Sequence, residues 1–584
     1  MKFGDVMKKI ALPVIILSVY FNIYSQSFVN PSDQFYKDVN CWEISGIIEN
    51  VPQISPYSIP VIKSILENVL KNGSDKDIQR AQYYLDKLEN EGFNVSFEGD
   101  ADFTWKSDSC NDRQDGTVRF TGALNLLPDL YMNYDFGVTG NHGLFSIPEY
   151  NSVQFDMVDD PTRIKSIEVN LNFNNLLSIG NDYAGVYAGI SRSAFGQFPD
   201  ESIVFDSSTF HAPYIAAYVI QPKWAYTQSL YMISASNNCG QKKYPQKFLN
   251  LHEVTLHLLP NLSFSYYETI VSGRKTDFQY LLPTPYMVSQ AFGGFVDNLQ
   301  MGIGITYKPI KGLKLTGDLY VDDVSANDIV KLKFDTKLII AGQLTAQYVP
   351  SASIFRRVYT EALMVGPRMY AHSDINLNND GTYSAAYINY QNYTHTGECI
   401  ATNIWPNSVA CNIGTEMNIL STMKLSFSGK FVCNANVNET LEKEEAIKYL
   451  SANPSDVVCI TDGSVFNYAG FTKPNGKNSN PKSYSSHFPF LEQETKKYVF
   501  QFDSRVSYDF PLSDSITCSI SLKNIFEYIK NDGVQNPIFN PLGDGTVDFQ
   551  ATDADYQNAL DNWHSNIIPD TFRDYLTISA KVAF

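Results

Sequence analysis

Adjacent carboxylates stand at Asp159-Asp160 and again at Asp322-Asp323. Glycosidases need such a pair, an acid with a base or nucleophile, about 5–9.5 Å apart across a cleft. Neighbours on a strand point to opposite faces, so neither pair converges on one bond by itself. Asp322 and Asp323 fit better as a strand cap at a rim, or as partners of a wall arginine such as Arg274. His252 and His257 are five apart and therefore lie on opposite faces of one strand, and neither Ser193 nor Ser207 carries the flanking residues of a nucleophile turn. The inventory assembles no catalytic site, and the expectation is a protein that is not an enzyme.

Metal chemistry has as little support. None of the eight cysteines forms a Cys-x-x-Cys, and no histidine stands at zinc-finger spacing from a cysteine pair, so no metal and no cofactor is expected. In an exported chain the cysteines permit disulfides. Cys399 with Cys411, in one polar segment, is the first pairing expected and Cys41 with Cys110 the second, while Cys518, in phase with Ile516 and Ile520, is expected as a free thiol facing lipid. Segment 532–561 carries Asp544, Asp548, Asp553 and Asp555 without a lysine or arginine among them. It lacks the alternating ligands and closing glutamate of a calcium loop and reads as solvated surface.

Binding chemistry is denser. Residues 372–405 bring Tyr383, Tyr387, Tyr390, Tyr393 and Trp405 among Asn376, Asn378, Asn379, Asn389 and Asn392. Flat aromatic faces stack on the apolar faces of sugar rings, and amides both donate to and accept from hydroxyls. The competing reading is an interfacial aromatic girdle, which any membrane barrel carries.

The elements that must hold these residues follow a period of two. In 313–322, Leu313, Leu315, Leu319 and Val321 oppose Lys314, Thr316, Asp318, Tyr320 and Asp322; in 500–510, Phe500, Phe502, Val506, Tyr508 and Phe510 oppose Gln501, Asp503, Arg505, Ser507 and Asp509. Met301, Ile303, Ile305 and Tyr307 alternate likewise with Gly302, Gly304 and Thr306. Charges in mid-strand belong in a hydrated lumen, because a lysine or arginine on a lipid face costs about 2–4 kcal/mol near the midplane. The last ten residues alternate too and end on Phe584, as the closing strand of an outer-membrane barrel does. Tight turns at 259–261, 309–312 and 511–514 alternate with long polar segments at about 192–213, 272–298, 371–416, 434–497 and 528–574. The alternating runs predict an all-β membrane protein, an antiparallel transmembrane barrel of about eighteen strands.

Ahead of the strands the period is helical. Ser58 and Pro60 open a stretch with Ile62, Ile65, Leu66, Val69 and Leu70 on one face, closed by Gly73; Ser74 and Asp77 then form a capping box for a second helix with Ile78, Ala81, Leu85 and Leu88. This hairpin is expected to plug or brace one end of the barrel, the alternative being a separate periplasmic module. Residues 439–450 read as a short surface helix inside a long loop, with Glu444 and Lys448 at helical spacing. At the start, Lys8 and Lys9 precede an apolar run over 10–21, too short for a spanning helix, which reads as a secretory leader cut near Ser25 or Gln26. The expected division is therefore leader 1–25, helical plug 26–95 and barrel 96–584. Within the leader Lys2, Lys8, Lys9 and Asp5 carry a net +2 of the total −18, so its removal leaves −20, which argues against nucleic acid as a partner.

Two regions resemble a known family. Residues 35–66, with Trp42, Gly46-Ile47-Ile48 and Pro56-Tyr57-Ser58 ahead of a helix, resemble the N-terminal helical region of the Wzi family of capsule assembly proteins. The order of residues 252–258, Asn261-Leu262, Glu268-Thr269, Gly273-Arg274, Leu282-Pro283, Asp297-Asn298 and 319–323, ending on Asp322-Asp323, is similar to that family's pattern. The chain departs from it at 191–213, where the family's Trp-Gly-Pro-Gly run is replaced by Phe195-Gly196-Gln197-Phe198. The resemblance implies an outer-membrane barrel of about eighteen strands with a helical plug, binding capsular polysaccharide as a lectin without altering it. The structural residues it carries over are Glu268, Arg274, Asp297, Asn298, Asp322 and Asp323. The partners expected are outer-membrane lipid, cell-surface polysaccharide and the outer-membrane assembly machinery. The alternative function is a substrate-specific porin.

Overall fold

The structure, a computed structural model, describes residues 28–89, 94–106, 109–144, 146–151, 162–208, 210–237, 243–273, 278–293, 297–324, 338–351, 353–372, 375–377, 383–385, 388–396, 398–420, 422–441, 443–451, 490–513, 516–539 and 550–584. The leader expected over 1–25 lies outside them. No described helix is long and apolar enough to cross a membrane.

Eighteen antiparallel strands close a barrel. In chain order they are β1 (Asn94–Lys106), β2 (Ser109–Leu127), β3 (Leu130–Gly143), β4 (Ile167–Gly180), β5 (Ala184–Arg192), β6 (His211–Gln221), β7 (Trp224–Asn237), β8 (Lys243–Leu259) and β9 (Leu262–Gly273). They continue with β10 (Asn298–Ile310), β11 (Leu313–Val324), β12 (Leu338–Tyr348), β13 (Phe355–Val365), β14 (Ser408–Asn418), β15 (Met423–Ala435), β16 (Lys496–Ser513), β17 (Ile516–Asp532) and β18 (Ile568–Ala583). β1 pairs with β18, Ser96 opposite Ala583, so no edge remains open.

The inside–outside alternation follows the sequence pattern. On β11 Lys314, Tyr320 and Asp322 are buried inward, whereas Leu315 and Leu319 are exposed outward; Phe500 and Phe502 on β16 likewise face out beside buried Gln501. Gly302 on β10 has a steric reason, since a Cβ there would lie 2.0 Å from Cε2 of Tyr267, whose ring fills the lumen side. The connections at one end are all short, including 260–261 and 311–312; the long ones are all at the other. Strands reach further into the polar segments than the periodicity suggests: β14 starts at Ser408, inside the expected loop 371–416, with Val409, Cys411 and Ile413 outward and the small or polar Ser408, Ala410, Asn412 and Gly414 inward.

The helices lie inside the short-turn end. They are α1 (Gln34–Ile44), α2 (Ile59–Asn72) and α3 (Asp75–Glu89). Pro60 sits in the first turn of α2, and Ser74 donates to Asp77 Oδ2 at 2.5 Å to start α3. α2 buries Ile59, Val61, Ile62, Ile65, Leu66 and Val69, worth on the order of 10 kcal/mol of apolar transfer before ordering entropy. These residues join one cluster with wall residues Leu176, Tyr187, Tyr214 and Tyr218, so the hairpin is a plug packed in the lumen. Gly312 N–H in a short turn donates to Ile44 O at 3.0 Å, which fixes the end of the barrel that the plug fills.

Charge bolts the plug to the wall. Lys314 on β11 donates to Glu43 at 2.7 Å, Asn40 at 2.9 Å and Gln197 at 3.0 Å. Asp38 on α1 takes Arg356 of β13, Arg80 of α3 at 3.0 Å and the Tyr84 hydroxyl at 2.5 Å. Burial works to raise both carboxyls; Lys314 and Lys308 around Glu43, and Arg356 and Arg80 around Asp38, outweigh it and hold each below the usual carboxylate range.

The expected disulfides do not form. Cys399 sits in a loop packed into the lumen, while Cys411 on β14 follows inward Ala410 and therefore points out through the wall. Cys41 is buried in the plug, whereas Cys110 is exposed at the long-loop end of β2, so the second pairing fails as well. Cys518 is free and in phase with outward Ile520, though its register partners Phe510 and Val582 help cover it to 7% exposure.

Candidate functional site

Three segments from the long-loop end fold back into the barrel. Segment 193–210 puts Ile203, Val204, Phe205 and Phe210 in the central cluster and pairs Phe195 with Ile54 of the plug segment. Glu201 fastens it: the carboxylate accepts from Lys430 of β15, from the Thr402 hydroxyl and from Asn403 N–H at 2.9 Å. Glu361 of β13 accepts Asp200 N–H at 3.2 Å, and Asp206, raised by burial to about 6, closes the same loop. Segment 146–151 enters opposite, where Glu149 meets Lys497 at 2.7 Å.

The aromatic loop is the third, and most of its described part is structural. Tyr393 is 0% exposed, stacked on Tyr370 at 5.6 Å, so its ring is occupied by protein and does not face solvent. Trp405 packs against the same cluster, and Tyr390 lies so close to Gly273 that a Cβ there would be 2.3 Å from the Tyr390 Cβ. Lys247 of β8, fully buried, donates to Asn392 Oδ1 at 2.7 Å and ties the loop down. Tyr383 is placed by its backbone pairing with Leu377, and Tyr387 lies outside the described residues.

The motif residues are ties of the same kind. Asp322 accepts Tyr370 N–H at 3.1 Å, Asn298 donates to Gln391 O at 2.8 Å and Asp297 accepts the Tyr280 hydroxyl at 2.7 Å. Asp323 pairs by backbone register with Ile339 after a bulge; Arg274, its expected partner, is outside the described residues, as are Asp159 and Asp160.

Glu268 departs from the expectation that mid-strand charge faces the lumen. Tyr267 and Thr269 point inward, so Glu268 and its cross-strand partner His252, 2.8 Å away, point out. They are not exposed to lipid because helix α4 (Tyr286–Gly293) and the turn Phe278–Leu281 lie over them: Tyr286 N–H donates to Glu268 at 2.5 Å and the Tyr286 ring stacks on His252 at 4.2 Å. The far side of this roof carries exposed Phe278, Met287 and Phe292, which continue the apolar outer belt. With His252 and Glu268 at 5% and 0% exposure, the pair has no opening for a substrate.

The lumen wall along β1, β2, β17 and β18 stays polar. Arg113 bridges Asp102 and Asp115, each at 3.1 Å; Arg119 meets Asp135 at 3.2 Å, and Lys581 meets Glu98 at 2.6 Å. The side chains of Lys523 and Lys581 are 39% and 44% exposed.

Above the barrel, residues 532–539 and 550–561 of the acidic segment are described, the second entering helix α6 (Asp553–Ser565), which packs against α5 (Lys443–Leu450); Asp544 and Asp548 lie outside the described residues. Thr552 and Asp555 form a reciprocal capping box, and hydrogen bonds from Thr552 hold the Asp555 carboxyl below its ordinary value, so this acid serves a helix start. Val534, Ile538, Phe539, Leu450 and Trp563 close a small separate core. Among the described residues no group of histidine, cysteine or acidic side chains has the arrangement of a metal site. The Thr552–Asp555 spacing was the signal for this helix, hidden by the acidic composition around it.

Together these parts make a closed strand barrel, stoppered by N-terminal helices and overlain by long loops at one end. The fold is that of outer-membrane barrels. The Escherichia coli outer-membrane protein Wzi, involved in group 1 capsule assembly and described as a carbohydrate-binding β-barrel, superposes with a TM-score of 0.50 over 96% of this chain and 99% of that one, at 10% identity. Pseudomonas aeruginosa OccD3 matches with a TM-score of 0.39 at 8% identity, over 85% of this chain and 91% of that one; OprD of the same organism matches with 0.37 at 7%, over 85% and 98%. No protein-family model and no curated sequence matches the chain. At these identities the likeness is one of fold.

Proposed function

We propose that this chain is a non-catalytic outer-membrane barrel of the Wzi-like kind, inserted by the outer-membrane assembly machinery after loss of its leader, that binds cell-surface polysaccharide such as capsule. One observation carries this reading. The plug and the inward segment 193–210 fill the same lumen cross-section, locked together by Lys314, Gln197 and the Phe195–Ile54 pairing. That leaves the folded outer loops as the surface for a ligand. Resemblance to a carbohydrate-binding barrel supports the same reading. The test is binding of purified, folded protein to polysaccharide extracted from its own cells. Saturable binding with closed traces in planar bilayers is expected; no binding to any surface glycan overturns it.

The second reading, a substrate-specific channel, is favoured by the charged strip along β1, β2, β17 and β18, where Arg113, Arg119, Lys523 and Lys581 stand with their acids. Steady conductance of the intact protein supports the channel over the lectin.

A further inference from the structure

We propose that the outer cap holds a preformed pocket for an uncharged sugar, between α6 and the segment 536–538; this rests on the polysaccharide-binding reading and names its subsite and ligand class. The cavity measures about 590 Å³, within the range of about 300–1,000 Å³ usual for small-molecule sites. Asn558, Asn562 and Asn566 are four residues apart on α6 and its C-cap, so their amides stack along one face of the helix. All three are exposed, and among the described residues no hydrogen bond takes up their side-chain amides. Asn536 stands on the opposite wall, with Pro537 and Ile538 as an apolar floor.

Asparagine inside a helix is unfavourable relative to alanine, because its short side chain competes for backbone hydrogen bonds. A run of such residues aimed into a cavity therefore does nothing for α6 itself. Amides suit sugars: each offers two donors and an acceptor to vicinal hydroxyls, and carries no charge. The charge pattern narrows the class further. Among the described residues the lining holds no lysine or arginine, its acid Asp555 is engaged by Thr552, and nearby Lys443 is paired with Asp553. A uronate or phosphorylated unit would meet carboxylate without a compensating cation. Preformation comes from the cap core: Trp563 Nε1 donates to Val534 O at 3.2 Å, and Phe539 stacks on Tyr556 at 5.5 Å, so both walls are fixed before a ligand arrives.

The test uses the full folded protein in detergent on an array of defined neutral and acidic oligosaccharides, together with its own extracted surface polysaccharide. Replacing Asn558→Ala and Asn562→Ala together raises helix propensity, so a lost signal is not a folding failure; unchanged heat-modifiable migration confirms this. Neutral oligosaccharides should bind, and the double variant should bind about tenfold more weakly, as expected for two lost amide contacts. Equal binding by wild type and double variant overturns the pocket while leaving the lectin reading intact. Pocket-dependent binding of acidic but not neutral sugars overturns the ligand class. Absence of binding by the wild type to every glycan, its own included, overturns both.

Discussion

Replacing Lys314→Met probes what holds the plug. The ammonium is 5% exposed and serves Glu43, Asn40 and Gln197 together, so it joins α1 and the inward segment 193–210 to the wall. Methionine keeps the stem and removes the charge, leaving Glu43 buried with only Lys308, 3.6 Å away, as a cation. Breaking a buried pair from one side costs about 3–5 kcal/mol. At about 1.4 kcal/mol per tenfold, plug docking weakens by roughly two to three and a half orders of magnitude. The strand ladder does not pass through this contact, so the barrel itself should stay folded. Planar-bilayer recording should then show openings absent from the wild type, and limited proteolysis should cut within 28–89. Adding Glu43→Gln removes the stranded charge and should restore part of the loss, which a double-mutant cycle reads directly. If the single variant stays closed and protease-resistant, the ion pair does not hold the plug.

The depressed carboxyls give a pH dependence of known sign: Glu43 and Asp38 stabilise docking fully above their unfolded values of about 4, and the contribution is lost as pH falls through their lower folded values, so proteolysis of the plug should be unchanged from pH 7 to 5 and faster at pH 3. Equal resistance at pH 3 would refute it. Asp206 has the opposite sign, because an acid raised by burial to about 6 opposes folding increasingly from its unfolded value of about 4 upward; Asp206→Asn should raise Tm at pH 7.5 and leave it unaltered near pH 4. A lower Tm at pH 7.5 would show that the carboxylate is needed charged. Gly302→Val would put atoms into the Tyr267 ring and should cost about 1–3 kcal/mol, visible as a lower Tm, despite the better strand propensity of valine.

The strands were legible because a two-residue period survives whatever the side chains do. Lys314 and Asp322 on one face of a run with Leu315 and Leu319 on the other already implied a wet interior. The helical hairpin was equally plain from Pro60, Gly73 and the Ser74–Asp77 box, whereas its packing inside the lumen was one of two readings. What failed to show was which way loops fold. Tyr393 and Tyr390 look alike in sequence, yet one is buried beside Tyr370 and the other lies over Gly273. Glu268 alternates as an outward residue, and only the roof of Tyr280 and Tyr286, from a segment read as polar loop, makes that position tolerable. Cys399 and Cys411 are near in sequence but separated by the wall between them, a distinction that spacing does not carry.

The distance along the chain between the plug and its fastenings dictates an order of assembly. Asp38 waits for Arg356, 318 residues later, and Asn40 for Gln347, 307 residues later. Until β10 to β13 are laid down, α1 lacks its cationic partners from the wall, Lys308, Lys314 and Arg356, and its carboxylates favour staying in water. α3 ends at Glu89 and β1 begins at Asn94, so the helices remain tethered beside the first strand throughout. That first strand is also the one that β18 must find to close the ring. Loops this long close slowly. The helices thus settle late, after most of the wall exists, and a chain that stalls half-built would leave them undocked at the short-turn end, where proteases can reach them.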